Sequence, residues 1–290
     1  MPNAGDSILG HKHLNGWNLF GLIVFLISVA VVSRLTQINT TNPADISGMI
    51  QFSVRLAVPW LFVAFAASSL VYLFPNNLTK WIMRNRRLIG LCFAAGIAWQ
   101  LFFIFWFVFG FFGYYMEEAY SYYDLSEQIP GYLVLFAMTF TSFKFGRNML
   151  SPRQWRILHK GSIYFICAVV WGTYWFELYF YDDMYDELQT IDYVYYWMGI
   201  AAWGVRIVAW SMKRRLKQKL EGMPGMPALI VSGGLIGIGL FLLLFGDLWT
   251  PLHPDTFDSF SFAGWAALFV PYLAMVPIFA AAVVASPARG

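Results

Sequence analysis

The chain has 290 residues, of which 59% are hydrophobic, 20% aromatic and only 12% charged, with a formal net charge of +3. A soluble domain carries about 25% charged residues. Here the apolar residues come in unbroken blocks, several of them reaching the roughly 20 residues that cross a bilayer, which excludes a soluble globular enzyme and predicts an integral membrane protein.

Span one is expected over Trp17 to Val32, retained rather than cleaved, and is followed after Arg34 by the polar turn Gln37-Ile-Asn-Thr-Thr-Asn-Pro. Span two, about Phe52 to Phe74, ends at Pro75-Asn-Asn and leads into Lys80-Trp-Ile-Met-Arg-Asn-Arg-Arg. Span three covers about Leu88 to Tyr115, and span four, about Gly131 to Phe145, closes at Lys144 and Arg147. Span five is read over about Gly161 to Tyr181, and span six over about Val194 to Met212, ending in Lys213-Arg-Arg-Leu-Lys-Gln-Lys. Spans seven (about Pro227 to Phe245) and eight (about Phe262 to Ala285) complete the pattern. No soluble insertion or repeat interrupts it. The expected architecture is therefore an all-α polytopic bundle of about eight transmembrane helices, forming one domain over residues 1–290.

Orientation follows from Lys and Arg in the short loops. Loops after spans two, four and six are basic, whereas those after spans three, five and seven contain no Lys or Arg. This alternation predicts basic loops and both termini on the cytoplasmic side of an inner membrane, with Arg34 the lone basic exception outside. Both cysteines, Cys92 and Cys167, sit in apolar runs, so no disulfide framework or thiolate metal site is expected.

Arg55, Gln100, Glu177 and Arg206 lie within or near the ends of these spans, where a polar group faces the bundle interior, pairs or snorkels. Arg55 and Glu177 both fall near outer helix ends, where a mutual ion pair is one of the readings. Arg206 lies close enough to the basic end of span six to snorkel. Gln100 is deep, and reads either as an interhelical hydrogen bond or as a ligand. The outer loops mix carboxylates with tyrosines; an interfacial aromatic belt over solvated acidic loops and a cation-attracting face are the two readings. His253 with Asp255 and Asp258 is a weak metal motif, and no metal site is expected. The glycines at 233, 234, 237 and 239 read as helix-packing material.

His159, at the junction of a basic turn with span five, is a candidate haem ligand, proton carrier or interfacial anchor. Two segments frame it: Ser53-Val-Arg-Leu-Ala with Phe74-Pro-Asn-Asn-Leu-Thr-Lys-Trp-Ile-Met-Arg-Asn-Arg-Arg-Leu-Ile-Gly-Leu, and Pro152-Arg-Gln-Trp-Arg-Ile-Leu-His-Lys. Together they resemble the ferric reductase-like transmembrane domain family, which includes the haem subunit of the methionine sulfoxide reductase system. The resemblance covers about residues 50–215. It implies a bundle that carries haem b between histidines of facing helices and passes electrons across the membrane. His159 matches the family's histidine. The companion positions hold Gly172 or Thr173 on the same helix and Ile97 or Gln100 on span three, so ordinary bis-His ligation cannot be assembled.

Two expectations follow. One is an electron-transfer protein without ordinary bis-His haem, in which His159 and Gln100 are the cofactor-binding candidates and a redox partner protein is required. The other is a non-catalytic scaffold binding a lipid, a quinone or a partner protein in the vacated haem cavity. The bilayer is the expected environment in both, and nucleic acid a partner in neither.

Overall fold

The computed structural model describes residues 9–120, 122–180, 190–218, 224–250 and 261–286, and among these the regular elements are helical, with no strand. Its main helices are α1 (Gly16–Leu35), α2 (Pro43–Leu73), α3 (Asn77–Gly110), α4 (Tyr122–Phe140), α5 (Pro152–Tyr179), α6 (Thr190–Lys217), α7 (Met226–Leu244) and α8 (Met275–Val284). Four of them, α1, α2, α3 and α7, are long and apolar enough to cross a membrane. The helices α5 and α6 have 28 residues each, but charged and polar residues interrupt their apolar runs. Shorter apolar helical stretches lie at Gln128–Phe140 and Val270–Val284. A fold of this kind satisfies every backbone group within its own segment, the condition a bilayer imposes.

Helix starts obey capping chemistry and so lie outside the apolar runs. Asn42 accepts a hydrogen bond from the Ala44 N–H, and Pro43 occupies the first turn, so α2 begins well before Phe52. At α3, Thr79 N–H donates to Asn76 Oδ1 (2.9 Å) while Asn76 N–H donates to Thr79 Oγ1 (3.1 Å). That reciprocal capping box makes the basic segment Lys80 to Arg87 helical, where the sequence suggested a loop. The stretch expected as span eight is broken into Phe262–Ala267, a 3-10 turn Val270–Ala274 that holds Pro271, and α8.

The chain forms two compact units, Met1–Cys167 and Ala168–Gly290, with α5 contributing to both. In the first unit α2 and α3 pack along their length. Their closest approach is at Gly96, where an added Cβ would lie 2.6 Å from Ala57 Cβ. Helix α1 lays the stripe Leu19, Ile23, Ile27 and Val31, spaced four apart, against Met49, Cys92 and Phe103. Trp99 Nε1 donates to Ser28 Oγ across the same contact at 3.1 Å. Gly16 enters α1 at φ +62°, a conformation that glycine adopts without strain. Its free N–H donates to the buried Asn85 Oδ1 (3.0 Å), and Trp81 Nε1 donates to the Leu14 carbonyl (2.8 Å). The start of α1 is thereby tied to α3.

The second unit is built around the C-terminal end of α7, whose last carbonyls lack helical partners. Tyr179 and Tyr196 both donate to the Leu243 carbonyl, at 2.7 and 2.8 Å, and Trp249 Nε1 donates to the Leu242 carbonyl at 2.8 Å. Ser232 Oγ reaches the Ala281 carbonyl of α8 at 3.1 Å. Of the four glycines read as packing material, only Gly239 meets a neighbour, Ile278 of α8. Gly233, Gly234 and Gly237 face open space.

Candidate functional site

The turn between α4 and α5 is organised by its caps. Ser151 and Gln154 exchange hydrogen bonds (Ser151 N–H to Gln154 Oε1, 2.9 Å; Gln154 N–H to Ser151 Oγ, 3.2 Å), and Pro152 fills the first helical position. This fixes the first two turns of α5, and with them Trp155 and His159, four apart on one face. Both side chains reach back to Thr141, buried at the end of α4. Trp155 Nε1 donates to the Thr141 carbonyl at 3.2 Å, and His159 Nε2 lies 2.9 Å from Thr141 Oγ1.

The direction of the second bond follows from proton counting. A threonine hydroxyl has one proton, and that of Thr141 goes to the Ala137 carbonyl at 2.6 Å. With that proton directed at the Ala137 carbonyl, a neutral imidazole in its Nε2–H tautomer fits the contact. Its surroundings agree: burial, then the positive charges of Arg147 and Arg86, pull its pKa from the ordinary 6.5 down to about 4. The ring stacks on Trp155 at 4.2 Å between centroids, and the Arg147 guanidinium carbon lies 4.1 Å from the centre of the Trp155 ring. His159 precedes the apolar run that begins at Gly161, at the basic end of the unit.

The other predicted positions are dispersed. Gln100 is half-buried on α3 and makes no hydrogen bond among the described residues; Ile97 is buried beside it in sequence. Arg55 is half-buried on α2, one turn before Pro59, which has no N–H for the Arg55 carbonyl. Glu177 and Arg206 are half-buried on α5 and α6, in the second unit, and none of these three charged residues is free of interactions. His11 and His13 are exposed and stacked on each other. His253, Asp255, Asp258 and the acidic stretch from Asp182 to Glu187 lie outside the described residues. Among the described residues no group of three His, Cys, Asp or Glu side chains could hold a metal.

The positions that the resemblance implies for a second haem ligand hold no histidine: they are Gly172, Thr173, Ile97 and Gln100. The Nε2 that would ligate iron is engaged with Thr141 Oγ1 at 2.9 Å. Gly172 has no side chain, and the Tyr272 hydroxyl lies 2.8 Å from where its Cβ would be. Around Gly172 the volume is filled by rings: Trp171 and Trp175 are fully buried, and Trp171 stacks on Tyr196 at 5.8 Å. The indole N–H groups of Trp171 and Trp175 find no acceptor among the described residues.

No family model matches the chain, and neither the curated proteins nor the solved structures contain a match.

Sequence reasoning missed Thr141 and Asn85. Ser151-Pro-Arg-Gln is a readable capping box that signals where α5 starts and which face Trp155 and His159 share. Nothing in the sequence points to Thr141 as their common partner.

Proposed function

We propose that this chain is a polytopic inner-membrane protein of about eight transmembrane helices, with its termini and basic loops cytoplasmic, on a scaffold like that of the ferric reductase-like family. In this reading it is a non-catalytic scaffold that holds no bis-His haem, and His159 serves as a helix clasp. The observation that carries it is the 2.9 Å contact between His159 Nε2 and Thr141 Oγ1, which engages the ring nitrogen that a haem iron would need. The aromatic filling around Gly172 supports the same reading, because large rings occupy the place where a second ligand side chain would stand.

The test is a visible spectrum of protein purified after haem-replete expression, oxidised and dithionite-reduced. The expected result is no Soret band at stoichiometric level in either state. A stoichiometric band that disappears in His159→Ala would overturn the proposal and restore electron transfer as the function.

A further inference from the structure

We infer that the basic end of the first unit is a binding site for the headgroup of an anionic phospholipid, held between Arg87, Lys144 and Arg147 and flanked by Trp17, Phe143 and Trp155.

Charge is the first argument. There is no Asp or Glu from residue 46 to 116, and none from 128 to 176. The cations Arg87, Lys144, Arg147, Arg153, Arg156 and Lys160 make no ion pair among the described residues. Such a concentration of cations attracts anions from outside the chain.

Geometry is the second. Arg87 reaches the Ser142 carbonyl at 3.5 Å, the residue after Thr141, and its guanidinium carbon lies 5.8 Å from the centre of the Trp17 ring. Trp17 stacks on Phe143 at 6.0 Å. Arg147 lies over Trp155, and its buried Nη1 has no acceptor among the described residues. Cations from α3 and from the turn after α4 thus converge on one patch, and a charged donor there has no partner among the described residues. Phosphate oxygens match the guanidinium's fork of donors.

The apolar groups choose the source of that phosphate. Phe145 and Met149 alternate with Lys144 and Arg147 and are 71% and 67% exposed. A soluble anion would leave them in water, whereas a lipid covers them with acyl chain while its headgroup meets the cations. Helix length places the patch at the right depth. With a rise of 1.5 Å per residue, α3 is about 51 Å long against a hydrocarbon core of about 30 Å. Its apolar part after Leu88 fills the core, and the turns from Lys80 to Arg87 stand among headgroups.

This inference rests on the membrane reading but not on the haem question, so the spectrum and the lipid assay fail separately. The experiment is native mass spectrometry and thermal melting of detergent-purified protein, titrated with phosphatidylglycerol, phosphatidylcholine or inorganic phosphate. Phosphatidylglycerol should be retained and raise the melting temperature, and the other two should not. Each cation removed, as in Arg87→Gln with Arg147→Gln, should weaken phosphatidylglycerol binding about fivefold, the equivalent of about 1 kcal/mol per basic side chain at an anionic surface. Should Arg147→Gln fail to fold, Arg87→Gln with Lys144→Gln carries the test, since both side chains are exposed. Equal retention of phosphatidylcholine, equal stabilisation by inorganic phosphate, or an equal loss in the control Lys213→Gln with Lys217→Gln would each overturn it.

Discussion

His159 shows how one side chain is fixed by the proton it carries. With the Thr141 proton directed at the Ala137 carbonyl, its hydroxyl oxygen is placed to accept from the imidazole. Replacing Thr141 with Val leaves a half-buried N–H unpaired and should cost about 1–3 kcal/mol; Thr141→Ser should restore most of it, as read by thermal melting in detergent. Burial of the ring and the charges of Arg147 and Arg86 set a pH dependence. The unfolded chain protonates this histidine near 6.5, whereas the folded chain does so only near 4. Between those values the unfolded state holds more protons, so stability falls as pH drops from 6.5 towards 4. The melting temperature should decline across that window, and His159→Gln should flatten the decline. An unchanged slope in the variant would contradict the depressed pKa. The sequence made this histidine conspicuous by placing it between cations and an apolar run. Its partner was illegible, because Thr141 lies across a turn and a lone threonine at a helix end carries no pattern.

At the scale of elements, hydropathy and hydrogen bonding mark different boundaries. Apolar length locates the stretch that meets lipid, so the expected spans fall within or across the observed helices. Caps locate where the backbone turns helical, which is why α2 starts at Pro43 and α3 at Asn77. Asn42 and the Asn76–Thr79 box were readable in the sequence, but only as short polar signals outside any apolar run. Packing was harder to read. Four glycines in α7 looked equivalent, yet among them Gly239 alone meets a described neighbour, while the close approach of Gly96 to Ala57 was given no weight. Gly96→Ala should destabilise by about 1–3 kcal/mol through overpacking, since the obstructing atoms belong to Ala57 itself rather than to a flexible side chain. Gly233→Ala should be near neutral by the same melting assay. The shared acceptor in the second unit predicts non-additivity. Leu243's carbonyl keeps one donor when either Tyr179 or Tyr196 is changed to Phe, so each single change should cost only a few tenths of a kcal/mol. The double change orphans the carbonyl and should cost more than the sum.

For the whole molecule, the distribution of charge argues for a direction across the membrane. Four helices have the length and apolarity to cross, and a membrane protein's sidedness is read from the cations in its short loops. The turn after α4 is cationic, and the segment between α3 and α4 carries Glu117 and Glu118 with no Lys or Arg. One helix, α4, separates them, so the two segments should face opposite compartments. Single cysteines test this directly. Met116 and Met149 are both exposed, while Cys92 and Cys167 are fully buried and give little background. In intact cells a membrane-impermeant maleimide should label Met116→Cys and leave Met149→Cys unmodified until the membrane is permeabilised. Labelling of both in intact cells would mean that α4 does not cross. The reverse pattern would put the cations of Arg87, Lys144 and Arg147 on the outer face, and the lipid site would then meet a different leaflet.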